Sequence, residues 1–169
     1  MDKQLKTSFI VIVKNQIELY NKLKILSIAE QKTLTTKEAR GLEDIVKQKE
    51  ILINAIKKQE DEKLVVFVKM AESFGLKYTP ELKLQDLLSK AGSEDSVEID
   101  KETTKLIILI KDIITLNVNN SRLMKNYLDF MKFTAELKAK IENPVQPIYN
   151  QDGIVKNAAD KKSKIDQQI

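Results

Sequence analysis

The stretch LIILIKDIITLNVNNSRLMKNYLDFMKFTAELKAKI, residues 106–141, decides the fold. Read in sevens, Leu109, Leu116, Leu123, Phe130 and Leu137 recur at one heptad position. Leu106, Ile113, Asn120, Tyr127, Thr134 and Ile141 recur three residues ahead. An a/d seam sustained over about five heptads specifies a long helix that packs against other helices. A second apolar stripe runs beside it at positions b and e: Ile107, Ile110, Ile114, Asn117, Met124, Leu128 and Met131. Positions a, b, d and e together span roughly 160° of the helix, more than a two-stranded coiled coil covers. The helix therefore has apolar surface left over after one partner has packed on its seam.

Working outward, the composition supports long helices with a narrow core. The chain has 169 residues, enough for one domain and a tail, of which 42% are apolar and 32% charged, with only 4 Gly and 3 Pro. Cysteine and histidine are both absent, so disulfides, thiolate metal sites and the commonest general base are missing. The composition points away from an enzyme. The net charge of +4 is carried almost wholly by lysines interleaved with Glu and Asp, and Arg40 and Arg122 are the only arginines. Lysine lacks the bidentate fork that reads bases and phosphates, so this pattern describes solvated helix faces and excludes nucleic acid as the expected partner. No apolar run reaches the roughly 18 residues of a membrane span. The short run Phe9–Val13 has no small-residue cleavage site after it, so no signal peptide is read and the expected location is cytoplasmic.

Upstream, residues about 3–32 read as a first helix, with Leu5, Ile12, Leu19 and Leu26 in one row and Phe9, Gln16, Leu23 and Glu30 in its companion. Thr35 with Glu38 fits a capping box, which predicts a short connection and an antiparallel second helix at about 36–74, with one continuous bent helix as the competing reading. That helix contains Lys57–Lys63, a run without any apolar residue, expected to cross a solvated part of the bundle. Gly75 fits a left-handed C′ stop. Thr79-Pro80 predicts the start of a short helix at about 81–90. A polar loop, Ser93–Ser96, precedes the long helix at about 98–142, which Asn143-Pro144 ends. Beyond it, residues 143–169 carry two prolines and no periodicity and read as a flexible tail. The expected fold is thus all-α: an elongated antiparallel bundle, made of a coiled-coil hairpin, a third long helix and one short helix over residues 1–142, plus the tail.

No catalytic or metal-ligating constellation emerges. The four glycines are far apart, so no phosphate-cradling loop forms, and no cofactor motif is present. The acidic group Glu94, Asp95, Glu98 and Asp100 lacks the spacing and turn glycine of a calcium loop. The candidates lie on the long helix instead. Asn120 at an a position, with Asn117 one turn before it, either fixes register inside the bundle or hydrogen-bonds a bound peptide. Met124, Leu128 and Met131 are either core or an adaptable binding face, since methionine accommodates varied apolar partners.

The order of these features resembles the FlgN-type flagellar export chaperones. The leucine-rich first helices of that family look like Leu23, Leu26, Glu30, Leu34, Leu42, Lys49-Glu50-Ile51-Leu52 and Ile56 here. Its Asn-x-x-Asn-x-x-Leu segment looks like Asn117–Leu123, and its Tyr-x-x-Asp-Gly element like Tyr149–Gly153. One departure is Gln59-Glu60-Asp61-Glu62-Lys63, where the family often shows Leu-Glu-x-x-Arg. The resemblance implies a cytoplasmic chaperone that binds hook-associated (hook–filament junction) proteins, keeps them unassembled and delivers them to the type III export apparatus. The expected cargo contacts are Asn117, Asn120, Met124, Tyr127, Leu128 and Met131. The rival reading is a homo-oligomeric coiled-coil scaffold whose surplus stripe is its own self-association seam.

Overall fold

A computed structural model describes residues 2–36, 41–142, 148–149 and 155–156. Four helices follow in order: α1 (Lys3–Thr36), α2 (Leu42–Ser73), α3 (Leu84–Leu88) and α4 (Ser93–Glu142). A two-residue ladder pairs β1 (Ile148–Tyr149) with β2 (Val155–Lys156), antiparallel, with Ile148 opposite Lys156. Of the tail expected at 143–169, and of the element Tyr149–Gly153 within it, only these four ladder residues are described; the rest lies outside the described residues.

The chain divides into two compact units, residues 1–127 and 128–169. Within the first, the partners of α1 fix the directions of the other helices. Gln16, Tyr20 and Glu30 meet Lys63, Glu60 and Lys49, so partner numbers fall along α2 as they rise along α1. α1 and α2 form the antiparallel hairpin expected from the sequence. α4 runs parallel to α1: Lys6, Lys24, Ser27 and Glu30 meet Asp95, Asp112, Asn117 and Asn120 in turn. That register brings the end of α1 level with about Asn126.

The β-branched cluster near the N-terminus is helical because its burial has a helical period. Phe9, Ile10 and Val13 are buried while Val11 is 49% exposed; a strand would have put Phe9, Val11 and Val13 on one face. The Asp2 carboxylate accepts from the Gln4 N–H (2.8 Å) and caps this end. At the other end, α1 runs on to Thr36. The expected capping box does not form at Thr35. Its hydroxyl donates back to Gln31 O (2.7 Å), which makes it part of the last turn of α1, and Glu38 lies outside the described residues. The helix starts after Gly41 instead, which takes a left-handed φ of 85°.

α2 stops at a Schellman motif. Gly75, at φ 69°, donates to Glu72 O, and Leu76 donates to Ala71 O, both at 2.9 Å. Leu76 then packs on the core, so the cap and the apolar contact that usually accompanies it occur together. The next helix is shorter than predicted. Thr79–Leu82 closes a turn, Leu82 N–H to Thr79 O (3.0 Å), and α3 begins only after Lys83, whose N–H is held by the Asp86 carboxylate (2.8 Å). Its purpose in the fold is to bury Leu87 and Leu88. α4 begins five residues before the predicted start. Ser93–Ser96 is its first turn rather than a loop, because Glu94 and Asp95 complement the positive end of the helix dipole. Lys6 anchors it with ion pairs to Asp95 (2.9 Å) and Glu98 (2.7 Å).

The core is layered. One apolar cluster joins Phe9, Ile10 and Val13 to Met70, Leu87, Ile99 and Leu106. A second joins Leu23 and Ile56 to Leu109 and Ile113. Polar layers separate and follow them: Gln16 with Lys63 between the clusters, then Ser27 and Glu30 with Lys49, Asn117 and Asn120 beyond the second. The companion row read from the sequence, Phe9, Gln16, Leu23 and Glu30, is the fully buried row of α1, polar members included.

Candidate functional site

The far polar layer is a closed network on three helices. Glu30 accepts from Lys49 Nζ (2.6 Å) and from Asn120 Nδ2 (2.7 Å) at the same oxygen, Oε2. Asn120 Nδ2 also donates to Ser27 O (2.7 Å). Ser27 Oγ donates to Asn117 Oδ1 (3.2 Å), and Lys49 Nζ reaches that oxygen at 3.4 Å. The Glu30 and Lys49 side chains are 8% and 14% exposed, so the ion pair is largely desolvated and holds only while its hydrogen bonds are made. Asn120 Oδ1 is buried without a partner among the described residues. The structure thus brings Asn117 and Asn120 into one layer, Asn117 facing Ser27 of α1 and Lys49 of α2, and Asn120 facing Ser27 and Glu30 of α1.

The other four candidates lie in different surroundings. Met124 and Tyr127 are half-buried in the first unit. Leu128 and Met131, in the second unit, are 51% and 47% exposed. Every residue of α4 from Leu128 to Glu142 is exposed, including seam positions Leu137 and Ile141 and the g-position Phe133. Leu128, Met131, Phe133, Leu137 and Ile141 spread over roughly 220° of helix circumference at about 100° per residue, with Asp129, Lys132, Glu136 and Lys140 filling the remainder. A helix segment of this kind is an apolar face able to receive an amphipathic partner.

Sequence reading missed two things here. It took Leu137 and Ile141 as seam residues covered by a partner helix, and it passed over Phe133, whose signal was an aromatic residue outside both stripes. Glu30 and Lys49, which in sequence only match the leucine-rich helices of the family, meet the asparagines in the folded chain. Glu30 at a core position, where a carboxylate requires a partner, was the available clue.

Among the described residues no three acidic side chains gather to hold a metal ion, and no helix is long and apolar enough to cross a membrane. The model of the FlgN protein family matches residues 1–157. The chain belongs to the FlgN family. No curated protein and no solved structure gives a significant match. Membership supports a role as a flagellar export chaperone, and FlgN proteins form a family of chaperones rather than enzymes. The position at which this FlgN chain departs from the common pattern is also located. Lys63 projects into the bundle, and its ammonium donates to the Oε1 of the fully buried Gln16 (3.0 Å). Burial holds the Lys63 ammonium below the ordinary lysine value, partly offset by Glu60.

Proposed function

We propose that this FlgN chain acts in the cytoplasm on hook-associated proteins. It receives their terminal amphipathic segment on α4 between Leu128 and Ile141, and it delivers them unassembled to the type III export apparatus. The observation that carries this reading is the run of large apolar side chains on a helix segment exposed at every position. A cargo helix laid there with its own apolar face inward would lose the surface by which it self-associates. In this reading Asn117 and Asn120 contribute indirectly, by fixing where α4 sits on the hairpin, while Met124 and Tyr127 continue the apolar path on the same helix.

The test is direct binding of the terminal peptide of a hook-associated protein. Leu128→Glu with Met131→Glu is expected to weaken it at least about tenfold, about 1.4 kcal/mol, and to leave unfolding unchanged because both side chains are exposed. Undiminished affinity in the folded double variant overturns the proposed face. Sedimentation supplies the second arm: a monomer that forms a one-to-one complex with cargo supports the chaperone reading, and a cargo-independent oligomer that the same double variant dissolves supports the scaffold.

A further inference from the structure

A cleft of about 380 Å³ opens beside the middle of α2. Phe9, Phe67, Leu84 and Leu106 line it, Leu64 stands at its rim 45% exposed, and Lys63 contributes its one cationic group. Lys63 is unusually placed. Among the described residues no carboxylate lies within ion-pair distance of it, and the hydrogen bond it makes there is to the neutral amide oxygen of Gln16. The one acidic group of the lining, Glu60, accepts from the Tyr20 hydroxyl (3.2 Å). The next amide atom along from that bond, Gln16 Nε2, is buried with no partner among the described residues. Glu60 acts on this ammonium only through space, so a half-buried cation whose hydrogen-bond acceptor is a neutral amide gains from an incoming anion, because a charge-assisted bond in such surroundings is stronger than one between neutral groups.

We propose that this cleft is a peptide subsite for a carboxylate side chain with a large apolar residue one helical turn away: the carboxylate pairs with Lys63 and the apolar residue fills the space over Phe67 and Leu106. The volume is at the small end of ligand pockets and suits one or two side chains. The open flank at Leu64 lets the ligand's backbone stay outside, which favours a peptide over an enclosed acyl chain. Burial's depression of the Lys63 ammonium agrees with a cation awaiting its counter-ion. The subsite lies wholly within residues 1–127 and does not depend on the reading of Leu128–Ile141.

The test uses two fluorescein-labelled, alanine-based helical peptides, identical except that Leu is followed one turn later by Glu in the first and by Gln in the second. Fluorescence anisotropy with the full chain is expected to show the Glu peptide binding about tenfold tighter. Lys63→Gln is expected to abolish the preference and Lys63→Arg to retain it, with folding of each checked by circular dichroism. The Lys63 ε-methylene NMR signal is expected to move with the Glu peptide and not with its counterpart. Leu128→Glu with Met131→Glu is expected to leave the preference intact, so failure of the α4 face and failure of this subsite read out separately. Equal affinity for the two peptides, no binding of either, or a preference that survives in folded Lys63→Gln overturns the proposal. So does a shift of the Lys63 signal by sodium decanoate when neither peptide binds, which would assign the cleft to a lipid carboxylate.

Discussion

Replacing Asn120 by alanine isolates the polar layer that ties α4 to the hairpin. The change removes two hydrogen bonds of 2.7 Å, one to the Ser27 carbonyl and one to the Glu30 carboxylate. A neutral bond of this kind is worth about 1 kcal/mol net, and one to a charged group about 1.5–3 kcal/mol. Against that, the buried Oδ1 without a partner disappears with the side chain, which returns about 1 kcal/mol. The net expectation is a loss of about 1.5–3 kcal/mol, or roughly 3–12 °C in Tm for a chain of this length. Urea unfolding followed by circular dichroism measures it. Glu30→Ala is expected to cost more, about 3–5 kcal/mol, because it leaves the Lys49 ammonium desolvated and without its partner. In the double-mutant cycle the two changes should couple by at least about 0.5 kcal/mol, since they share one hydrogen bond. If Asn120→Ala moves stability by less than about 0.5 kcal/mol, or if the two changes are additive, the layer does not hold α4 and the reasoning fails.

Other perturbations test other parts of the molecule. Burial, with Glu60 beside it, pushes the Tyr20 phenol up to about 12, so the folded state keeps its proton where the unfolded chain has lost it. Its contribution to stability is full below the ordinary value of 10.0 and is lost as pH rises towards about 12; a late step in the phenolate absorbance that vanishes in Tyr20→Phe is the expected record. The Lys6 hydrogen bond holds the Asp95 carboxyl below its ordinary value of 3.8, and a carboxyl NMR titration should find its midpoint moving up in Lys6→Met. Met70, fully buried where α2 joins the first apolar cluster, should cost about 2–5 kcal/mol when cut to alanine, read from the same urea curves. Gly75→Ala meets no atom within 4 Å, so its expected cost of about 1–2 kcal/mol is purely that of a left-handed backbone on a residue with Cβ.

The parts of this fold that were legible in the sequence are those set by periodicity and by single backbone requirements. The helix over residues 106–141, the buried row of α1 and the left-handed glycine at position 75 are each found, while the seam of that long helix is packed only in its first part, with Leu137 and Ile141 exposed. What sequence reading misplaced depends on competition between neighbouring groups. Thr35 can cap a new helix or bond back to its own; the back bond to Gln31 won because α1 has enough apolar contact to continue, with Leu34 buried in its last turn. Ser93–Ser96 looks like a loop until its acidic residues are seen at the start of α4, with Asp95 paired to Lys6. Glu30, Lys49 and Asn117 are ordinary helix-surface types in sequence. Only the antiparallel and parallel registers of three helices bring them to one layer.

That layer changes what the asparagine motif means physically. A polar side chain at an a position costs stability in an apolar seam and is kept where it selects one register over others. Asn120 is shared between a backbone carbonyl of α1 and a carboxylate that also binds Lys49 of α2, so sliding α4 by one turn would break the four hydrogen bonds that Asn117 and Asn120 make with the hairpin and leave the buried Glu30–Lys49 pair without its amide partners. The apolar clusters alone give no such penalty, because leucines and isoleucines one turn apart substitute for one another with little loss. The network therefore does for α4 what the apolar rows cannot: it fixes which residues of one uniform heptad pattern are used in packing on the hairpin. The same heptad pattern from Leu128 onward, in the second unit, is exposed at every residue through Glu142.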